Sequence, residues 1–189
     1  MLKRAIREQY LQKRLTLTRD KIQEYSARMI EQFSRLQLPE VNSLLSYYPL
    51  ADRNEFNVAI AAELVKSRYA QVRIAWPRIE TDMKTMEAYE VQADGLYAKN
   101  KFNILEPLNG QWLAPDKIDM VFVPLVAFDT RGYRVGYGKG FYDRYLARCR
   151  PNVVKTGFSF FDPLPIIEDI NDFDVPLNFS ITPSRIYEF

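Results

Sequence analysis

The chain has 189 residues, 47% hydrophobic and 26% charged, with a net charge of +2, which predicts one globular domain over residues 1–189 and excludes an intrinsically disordered protein. One cysteine and no histidine exclude an internal disulfide, the common Cys/His metal clusters and catalysis by a histidine base. Because acidic and basic side chains nearly balance, the sequence gives no overall signal for nucleic acid binding, and we expect none.

The amino-terminal 36 residues contain neither Gly nor Pro and are rich in long-chain helix formers, which predicts two consecutive helices. Thr18 is the expected N-cap of the second helix. Pro39 ends the helical region. The second helix has an apolar face at steps of three and four residues, formed by Ile22, Tyr25, Met29, Phe33 and Leu36.

Strand-length apolar runs then alternate with helical patterns. The sequence predicts a strand over 43–48, a helix over 57–67, and a strand over 71–76 that ends at Pro77. A shorter, more exposed strand is expected over 86–91. Gly and Pro residues between 95 and 115 predict connecting segments.

The strongest predicted strand spans 118–127, and its nearly continuous apolar character favours burial on both faces. A loop over 128–137 and a helix over 139–148 follow it. Late strands are expected over 153–160 and 179–182, with a surface loop over 168–174 between them.

This alternation predicts an α/β fold, a three-layer α/β/α sandwich with a mostly parallel central sheet on which the amino-terminal helices pack. The charged amino terminus lacks the apolar segment of a secretory signal, and the longest apolar run, residues 120–128, is too short to cross a bilayer. We therefore expect a cytoplasmic protein without a membrane partner.

Ligands of open α/β sheets bind beyond the carboxyl ends of the strands, where this chain has a glycine-rich segment after its strongest strand. Glycines alternate at Gly136, Gly138 and Gly140, which lets the backbone approach a ligand and predicts a phosphate cradle. Arg134 and Lys139 add positive charge. The spacing matches neither a P-loop nor a dinucleotide fingerprint, so an ordinary glycine-rich turn is the alternative.

Asp143 lies in the first turn of the predicted helix, immediately after the cradle. A carboxylate there could hold Mg²⁺ against phosphate oxygens. The alternative is a carboxylate that stabilises the helix dipole. Position i+4 is Ala147, so no salt-bridge partner on the helix accounts for the aspartate.

Two further features have both a functional and an ordinary interpretation. The first is a stripe on the first helix, Lys3, Arg7, Tyr10 and Arg14, along which a triphosphate could lie, although such stripes are often only solvated faces. The second is Glu55, which follows the first strand and could accept hydrogen bonds from ring N–H groups or stabilise a helix terminus.

The run from Gly132 to Asp143, Gly-Tyr-Arg-Val-Gly-Tyr-Gly-Lys-Gly-Phe-Tyr-Asp, closely resembles the signature of the 5-formyltetrahydrofolate cyclo-ligases, also called methenyltetrahydrofolate synthetases. Three further matches occur in the family's order: 3–7, Glu55, and the segment Phe-Asn-Ile-Leu-Glu-Pro at 102–107. The resemblance covers about residues 3 to 143 and is weaker beyond them.

The resemblance implies an enzyme that converts 5-formyltetrahydrofolate and ATP to 5,10-methenyltetrahydrofolate, ADP and phosphate with Mg²⁺, through a phosphorylated formyl group. Both nucleophiles would belong to the folate, which fits the absence of histidine. A non-catalytic binder or regulator of formylfolates with the same fold is the alternative. A sugar-phosphate or nucleotide enzyme is a third candidate on fold analogy alone. We expect a monomer.

The resemblance also implies roles for individual residues. Lys139 and Tyr142 would be catalytic, and Asp143 would bind Mg²⁺. The folate would contact Glu55, Phe102, Tyr137 and Phe141. ATP would be bound by Lys3, Arg7, Arg134, Gly136, Gly138, Lys139, Gly140, Phe141 and Tyr142.

The sequence departs from the family pattern at two places. Tyr137 stands where some members carry Arg, which removes a direct ionic contact. After Gly157 many members have a Gln and a Leu-Pro pair before a His-Asp, whereas here Phe161-Asp162 and Phe173-Asp174 occupy that region without Gln or His. Asp174 could match the family's aspartate and aid metal binding, or it could merely end a loop.

Overall fold

Two helices begin the chain, as predicted, in a computed structural model that describes residues 1–92 and 94–189. Helix α1 spans Lys3–Leu15 and α2 spans Arg19–Arg35. The prediction of the α2 N-cap is confirmed, because the Thr18 hydroxyl accepts a hydrogen bond from the Lys21 N–H. No helix within the two described stretches is long and apolar enough to span a membrane.

Two further helices follow, α3 over Ala59–Arg68 and α4 over Phe141–Leu146, and short 3₁₀ turns cover Ala51–Arg53 and Pro115–Lys117. The strands of the described residues are β1 (Ser43–Leu45), β2 (Arg73–Ile79), β3 (Met86–Glu90), β4 (Tyr97–Lys99), β5 (Leu105–Pro107), β6 (Gln111–Leu113), β7 (Met120–Val123), β8 (Ala127–Phe128), β9 (Arg134–Val135), β10 (Val154–Phe158), β11 (Phe179–Ile181) and β12 (Ile186–Glu188).

Eight strands form the main sheet in the order β12-β11-β10-β7-β1-β2-β3-β6. The pairings among β11, β10, β7, β1 and β2 are parallel, whereas β12, β3 and β6 add antiparallel edges. The predicted mostly parallel sheet is therefore confirmed. The pairs β4–β5 and β8–β9 form two small separate sheets.

Apolar side chains cover both faces of this sheet and produce the predicted three layers. On one face, Phe33 of α2 and Val65 of α3 pack with Phe122 and Phe158 of the sheet. On the other face, Tyr145 of α4 packs in a second cluster. Helix α1 covers the β8–β9 hairpin, where Ile6 joins a third, smaller apolar cluster with Ala127, Val135 and Ile167.

The prediction of one long central strand over 118–127 is wrong. Strand β7 ends at Val123, and the chain then turns into the β8–β9 hairpin, where the Val126 N–H donates to the Val135 carbonyl. The physical reason is Pro124, which has no N–H to continue the ladder. Part of the predicted loop over 128–137 is accordingly strand β9.

The predicted end of a strand at Pro77 is also wrong, because β2 continues to Ile79. The Ala75 carbonyl accepts from the Ser46 N–H, and Pro77, two residues later, faces the same side of β2. Strand β1 pairs only through Ala75, so the missing N–H of Pro77 interrupts no ladder.

The remaining differences are element ends and short strands. Strand β1 ends at Leu45 rather than 48, and α4 covers Phe141–Leu146 rather than 139–148 because Gly140 before it has a left-handed conformation. The connecting region 95–115 contains β4, β5 and β6, and β12 was not predicted at all. Strand β3 is less exposed than expected, since Met86 and Ala88 are buried. Residues 168–174 form a loop, as predicted.

Candidate active site

A cavity of about 460 Å³ lies where β1 and β7 end, with the last residues of β2 in its wall. This is the position at which open α/β sheets bind ligands. The structure brings every residue predicted for the site to this one cavity: Lys3, Arg7, Glu55, Phe102, Arg134, Gly136, Tyr137, Gly138, Lys139, Gly140, Phe141, Tyr142 and Asp143.

Two positions of the glycine loop, residues 136–140, require glycine. Gly138 and Gly140 have φ of +86° and +68°, a conformation that other residues rarely adopt. A Cβ on Gly138 would also lie 3.2 Å from the Arg7 guanidinium. Arg7 Nε donates to the Gly136 carbonyl at 2.7 Å, so α1 is fixed directly across the loop.

Asp143 is paired with a buried cation that helix spacing did not reveal. Its Oδ1 lies 2.9 Å from Arg134 Nη2 and accepts from the Val175 N–H at 3.2 Å. The Arg134 side chain is 5% exposed and also donates to the Val175 carbonyl. Burial lowers the pKa of Arg134, and the charge of Asp143 opposes that effect. The ion-pair partner of Asp143 therefore lies outside its own helix, on β9, where the i+4 spacing could not indicate it.

The donors that face the cavity fit a shared magnesium site better than an all-protein cage. Within residues 1–92 and 94–189 no group of three His, Cys, Asp or Glu side chains is arranged to hold a metal. Asp143 and Asp174 both line the cavity, and Lys3 pairs with Asp174. Mg²⁺ commonly takes one or two carboxylates and completes its shell with phosphate oxygens and water.

Glu55 is held by a phenol and a backbone N–H. Tyr137 donates to its Oε1 at 2.7 Å, and the Leu50 N–H donates to its Oε2 at 2.8 Å. Behind Tyr137, the 4%-exposed Arg14 donates to the phenol oxygen at 2.7 Å. Burial raises the pKa of Glu55 above that of an ordinary glutamate, while these hydrogen bonds and the charges of Arg14 and Arg53 oppose the rise.

The stripe predicted on α1 is only partly at the site. Lys3 and Arg7 line the cavity, but Arg14 is buried against Tyr137. Tyr10 makes an edge contact with the Phe161 ring, with centroids 5.6 Å apart. The stripe therefore divides between the cavity and the interior, and of its four residues Lys3 and Arg7, the two assigned to ATP from the resemblance, line the cavity.

Aromatic rings and one hydroxyl complete the wall. Phe102 and Phe141 meet edge to face with centroids 6.3 Å apart, and Lys139 Nζ lies 5.3 Å from the Phe102 centroid. The Tyr142 hydroxyl is buried without a hydrogen-bond partner in the described chain, and burial raises its pKa.

Three residues that line the cavity or hold its lining side chains in place were missed by the sequence analysis. Arg14 and Arg53 were not assigned to the surroundings of Glu55 and Tyr137, and Glu106 was noted only as part of the 102–107 segment. The available signal for Arg14 was its helix position, but spacing alone does not tell which of two faces a helix buries.

Comparison with known proteins identifies the family. The model of the 5-formyltetrahydrofolate cyclo-ligase family matches residues 1–169. The chain belongs to this family. A 5-formyltetrahydrofolate cyclo-ligase of Mycoplasma pneumoniae is 26% identical over 162 residues, covering 85% of this chain and 86% of the relative.

Solved structures of relatives agree with the cyclo-ligase assignment. A 5,10-methenyltetrahydrofolate synthetase from M. pneumoniae aligns with a TM-score of 0.74 at 26% identity, over 97% of this chain and 99% of that one. The Aquifex aeolicus 5,10-methenyltetrahydrofolate synthetase gives 0.76 at 28% identity, over 100% and 93%. The predicted family, fold and enzyme class are confirmed, and the roles of individual residues stay predictions.

Proposed function

We propose that the chain converts 5-formyltetrahydrofolate to 5,10-methenyltetrahydrofolate in a reaction that consumes ATP, requires Mg²⁺ and releases ADP and phosphate. One observation carries this proposal: Tyr137, inside the glycine loop, donates a 2.7 Å hydrogen bond to Glu55. The segment proposed for ATP and the carboxylate proposed for folate therefore border the same space.

The proposed reaction needs positioning more than it needs a protein nucleophile. The formyl oxygen attacks the γ-phosphorus, and the bond to ADP breaks. N10 of the folate then attacks the activated formyl carbon, phosphate leaves with the former formyl oxygen, and N10 loses its proton. The protein's contribution is to align these atoms, exclude water and stabilise charge on the transferred group.

The nucleotide side of the cavity carries mobile and fixed positive charge. We assign Lys3, Arg7 and Arg134 to ATP binding, with the backbone of Gly136, Gly138, Gly140 and Phe141 close to the phosphates. Lys139 would neutralise charge during transfer. Mg²⁺ held by Asp143 would supply charge neutralisation between phosphate oxygens.

The Tyr142 hydroxyl, which has no partner among the described residues, has a specific role in the proposed reaction. Because it is buried and lacks a partner among the described residues, it can donate to an oxygen that arrives with the substrates. We propose that this oxygen belongs to the transferred phosphoryl group. On the folate side, Glu55 and Tyr137 would bind polar atoms near N10, and Phe102 and Phe141 would contact the flat pterin ring.

The test is to incubate the purified protein with ATP, Mg²⁺ and 5-formyltetrahydrofolate, and to follow methenylfolate absorbance and ADP together. We expect equal amounts of both products. Methenylfolate without ADP would reject the mechanism, and folate binding without turnover would favour the non-catalytic binder.

We also propose that residues 1–189 act as one domain and as a monomer. The main sheet uses strands from Ser43 to Glu188, so no division within residues 43–188 leaves it intact. Light scattering at the concentration of the activity assay measures the oligomeric state. The cytoplasmic location stays a prediction.

A further inference from the structure

A second glutamate, Glu106, faces the cavity and has no role in the reaction proposed above. Glu106 lies on β5, lines the cavity and is 9% exposed. No ion pair to it occurs in residues 1–92 and 94–189. Burial raises its pKa. A buried carboxylate without a cation requires hydrogen-bond donors, and ligand donors can supply those that the protein does not.

The protein fixes only one oxygen of this carboxylate. Oε1 accepts from the Ile79 N–H at 2.9 Å and from Asn100 Nδ2 at 2.7 Å. Across the part of the chain that the structure describes, Oε2 accepts no hydrogen bond. Glu106 therefore has a defined orientation and a vacant acceptor.

The Asn100 amide is itself oriented by the backbone. Its Oδ1 accepts from the N–H groups of Phe102 and Ile104, at 2.8 and 3.1 Å, so its Nδ2 must face Glu106. One side chain thus fixes both the turn that carries the Phe102 ring and the carboxylate. An aromatic face and a polar acceptor are held together as parts of one wall.

Glu55 offers a different environment. Both of its oxygens already accept a hydrogen bond, and its neighbours include Arg14 and Arg53. It is also linked to the glycine loop, where the reacting groups would meet. Glu106 is attached instead to β2 and to the turn at 100–104, and within the described residues it makes no hydrogen bond to that loop.

We propose that Glu106 is the specificity-determining acceptor for the pyrimidine edge of the folate's pterin, an inference that rests on the proposed folate binding in the same cavity. The N3–H and the 2-amino group of a pterin lie side by side and both donate. They would meet the free oxygen of Glu106 while the ring contacts Phe102. Glu55 then remains for N–H groups nearer the reacting atoms.

The test measures affinity without ATP, so it does not depend on turnover. Wild-type protein is titrated with 5-formyltetrahydrofolate and with its 2-desamino-2-methyl analogue, which lacks the amino donor. A charge-assisted hydrogen bond predicts about 10- to 100-fold weaker binding of the analogue. Glu106→Gln should bind the natural folate about 10- to 100-fold more weakly and discriminate between the two ligands by less than about threefold.

Glu80→Gln is the matched control, because Glu80 is a nearby carboxylate that bonds Arg78 and Tyr89 outside the cavity. It should retain wild-type discrimination. Glu106→Asp keeps the charge but withdraws the oxygen, and it provides a second test should Glu106→Gln fail to fold; it should also lose discrimination. Either variant with the wild-type ratio would overturn the proposal, as would equal affinity of wild-type protein for both ligands.

Failure of this inference differs from failure of the proposed function. Folate turnover with ADP release but no dependence of discrimination on Glu106 rejects the inference alone. Discrimination that depends on Glu106 without ATP consumption rejects the cyclo-ligase reaction and leaves the pterin contact standing.

Discussion

The two sides of the cavity hold their carboxylates in different ways. On the side proposed for the nucleotide, Asp143 directly contacts the buried guanidinium of Arg134. On the side proposed for the folate, Glu55 contacts Tyr137, and Arg14 contacts the same phenol from behind. Removing one partner of a direct ion pair leaves the other charge buried without compensation, which is strongly destabilising. Arg14 reaches Glu55 only through the Tyr137 phenol, so its removal should have a smaller effect on that carboxylate. The two sides should therefore respond differently to mutation and to pH.

The largest effect is expected for Asp143→Ala. It removes the proposed metal ligand and leaves Arg134 buried without its carboxylate, so turnover should fall about 10³-fold and the free energy of unfolding by about 2–4 kcal/mol. Folate binding should change little. Urea unfolding and coupled ADP release measure the two losses, with the exposed Asp116→Ala as control. Wild-type turnover would discard the metal role.

Lys139→Ala should show a smaller and purely kinetic loss. The side chain makes no ion pair in the described chain and lies by the Phe102 ring, so its removal leaves no buried partner. We expect kcat to fall about 10²-fold while folate affinity stays within about threefold. The neighbouring Lys101→Ala should behave as wild type. A defect confined to affinity would contradict the assignment of Lys139 to phosphoryl transfer.

Arg14→Met tests the relay on the folate side. Removing the cation leaves Tyr137 and Glu55 in place but takes away an interaction that favours ionised Glu55, so the pKa of Glu55 should rise further. We expect the KM for folate to increase about tenfold at neutral pH, with a smaller change in kcat. Arg14→Lys should recover part of the affinity.

The pH dependence follows from the same carboxylate. The pKa of Glu55 is already raised by burial, so the affinity for folate should fall on the acid side at a pH above the usual range for glutamate. The free energy of unfolding depends on the same pKa in the opposite direction. The contribution of Glu55 to stability is present below its pKa in the unfolded chain, about 4.5, and is lost as the pH rises through its higher pKa in the folded protein. In Arg14→Met the acid limb of kcat/KM should shift to higher pH. An unmoved limb would exclude Glu55 as the titrating group.

Two glycines give the smallest and most selective effects. Gly138→Ala forces a positive φ on alanine and crowds Arg7, so it should lower the free energy of unfolding by about 1–2 kcal/mol and raise the KM for ATP. Gly136→Ala has normal φ, and the nearest atom to its Cβ is the Pro124 carbonyl oxygen at 4.0 Å. The free energy of unfolding of Gly136→Ala should therefore stay within about 0.5 kcal/mol of the wild-type value. A larger ATP defect than folate defect in Gly136→Ala would support the assignment of the loop to nucleotide.

The sequence predicted those parts of the fold that have a long period or a clear cap. Helix α2 had both, in Thr18 and its apolar face. Strands β4, β5, β6 and β12 have three residues each, too few for a period-two pattern. Strand β7 was predicted too long because the apolar residues continue past Pro124, although the hydrogen bonds to the main sheet end at Val123.

The candidate site was predicted better than its supports. The glycine loop and Glu55 carry motif information, and all residues assigned from it line one cavity. The partners of these residues are distant in sequence. Arg14 and Tyr137 are 123 positions apart, and Asp143 and Val175 are 32 positions apart. Such contacts form only when the layers of the fold pack together, so neither helix and strand propensities nor the spacing of residues in the sequence predicts them.

Helix α1 brings Lys3 and Arg7 to the cavity, yet its apolar contact is the small cluster around Ile6 and the β8–β9 hairpin. That cluster is separate from the two that cover the main sheet. Local opening of this minor unit would withdraw both cations while the sheet remained folded. Release of the proposed nucleotide product would then require only this local opening, at a fraction of the free energy of global unfolding.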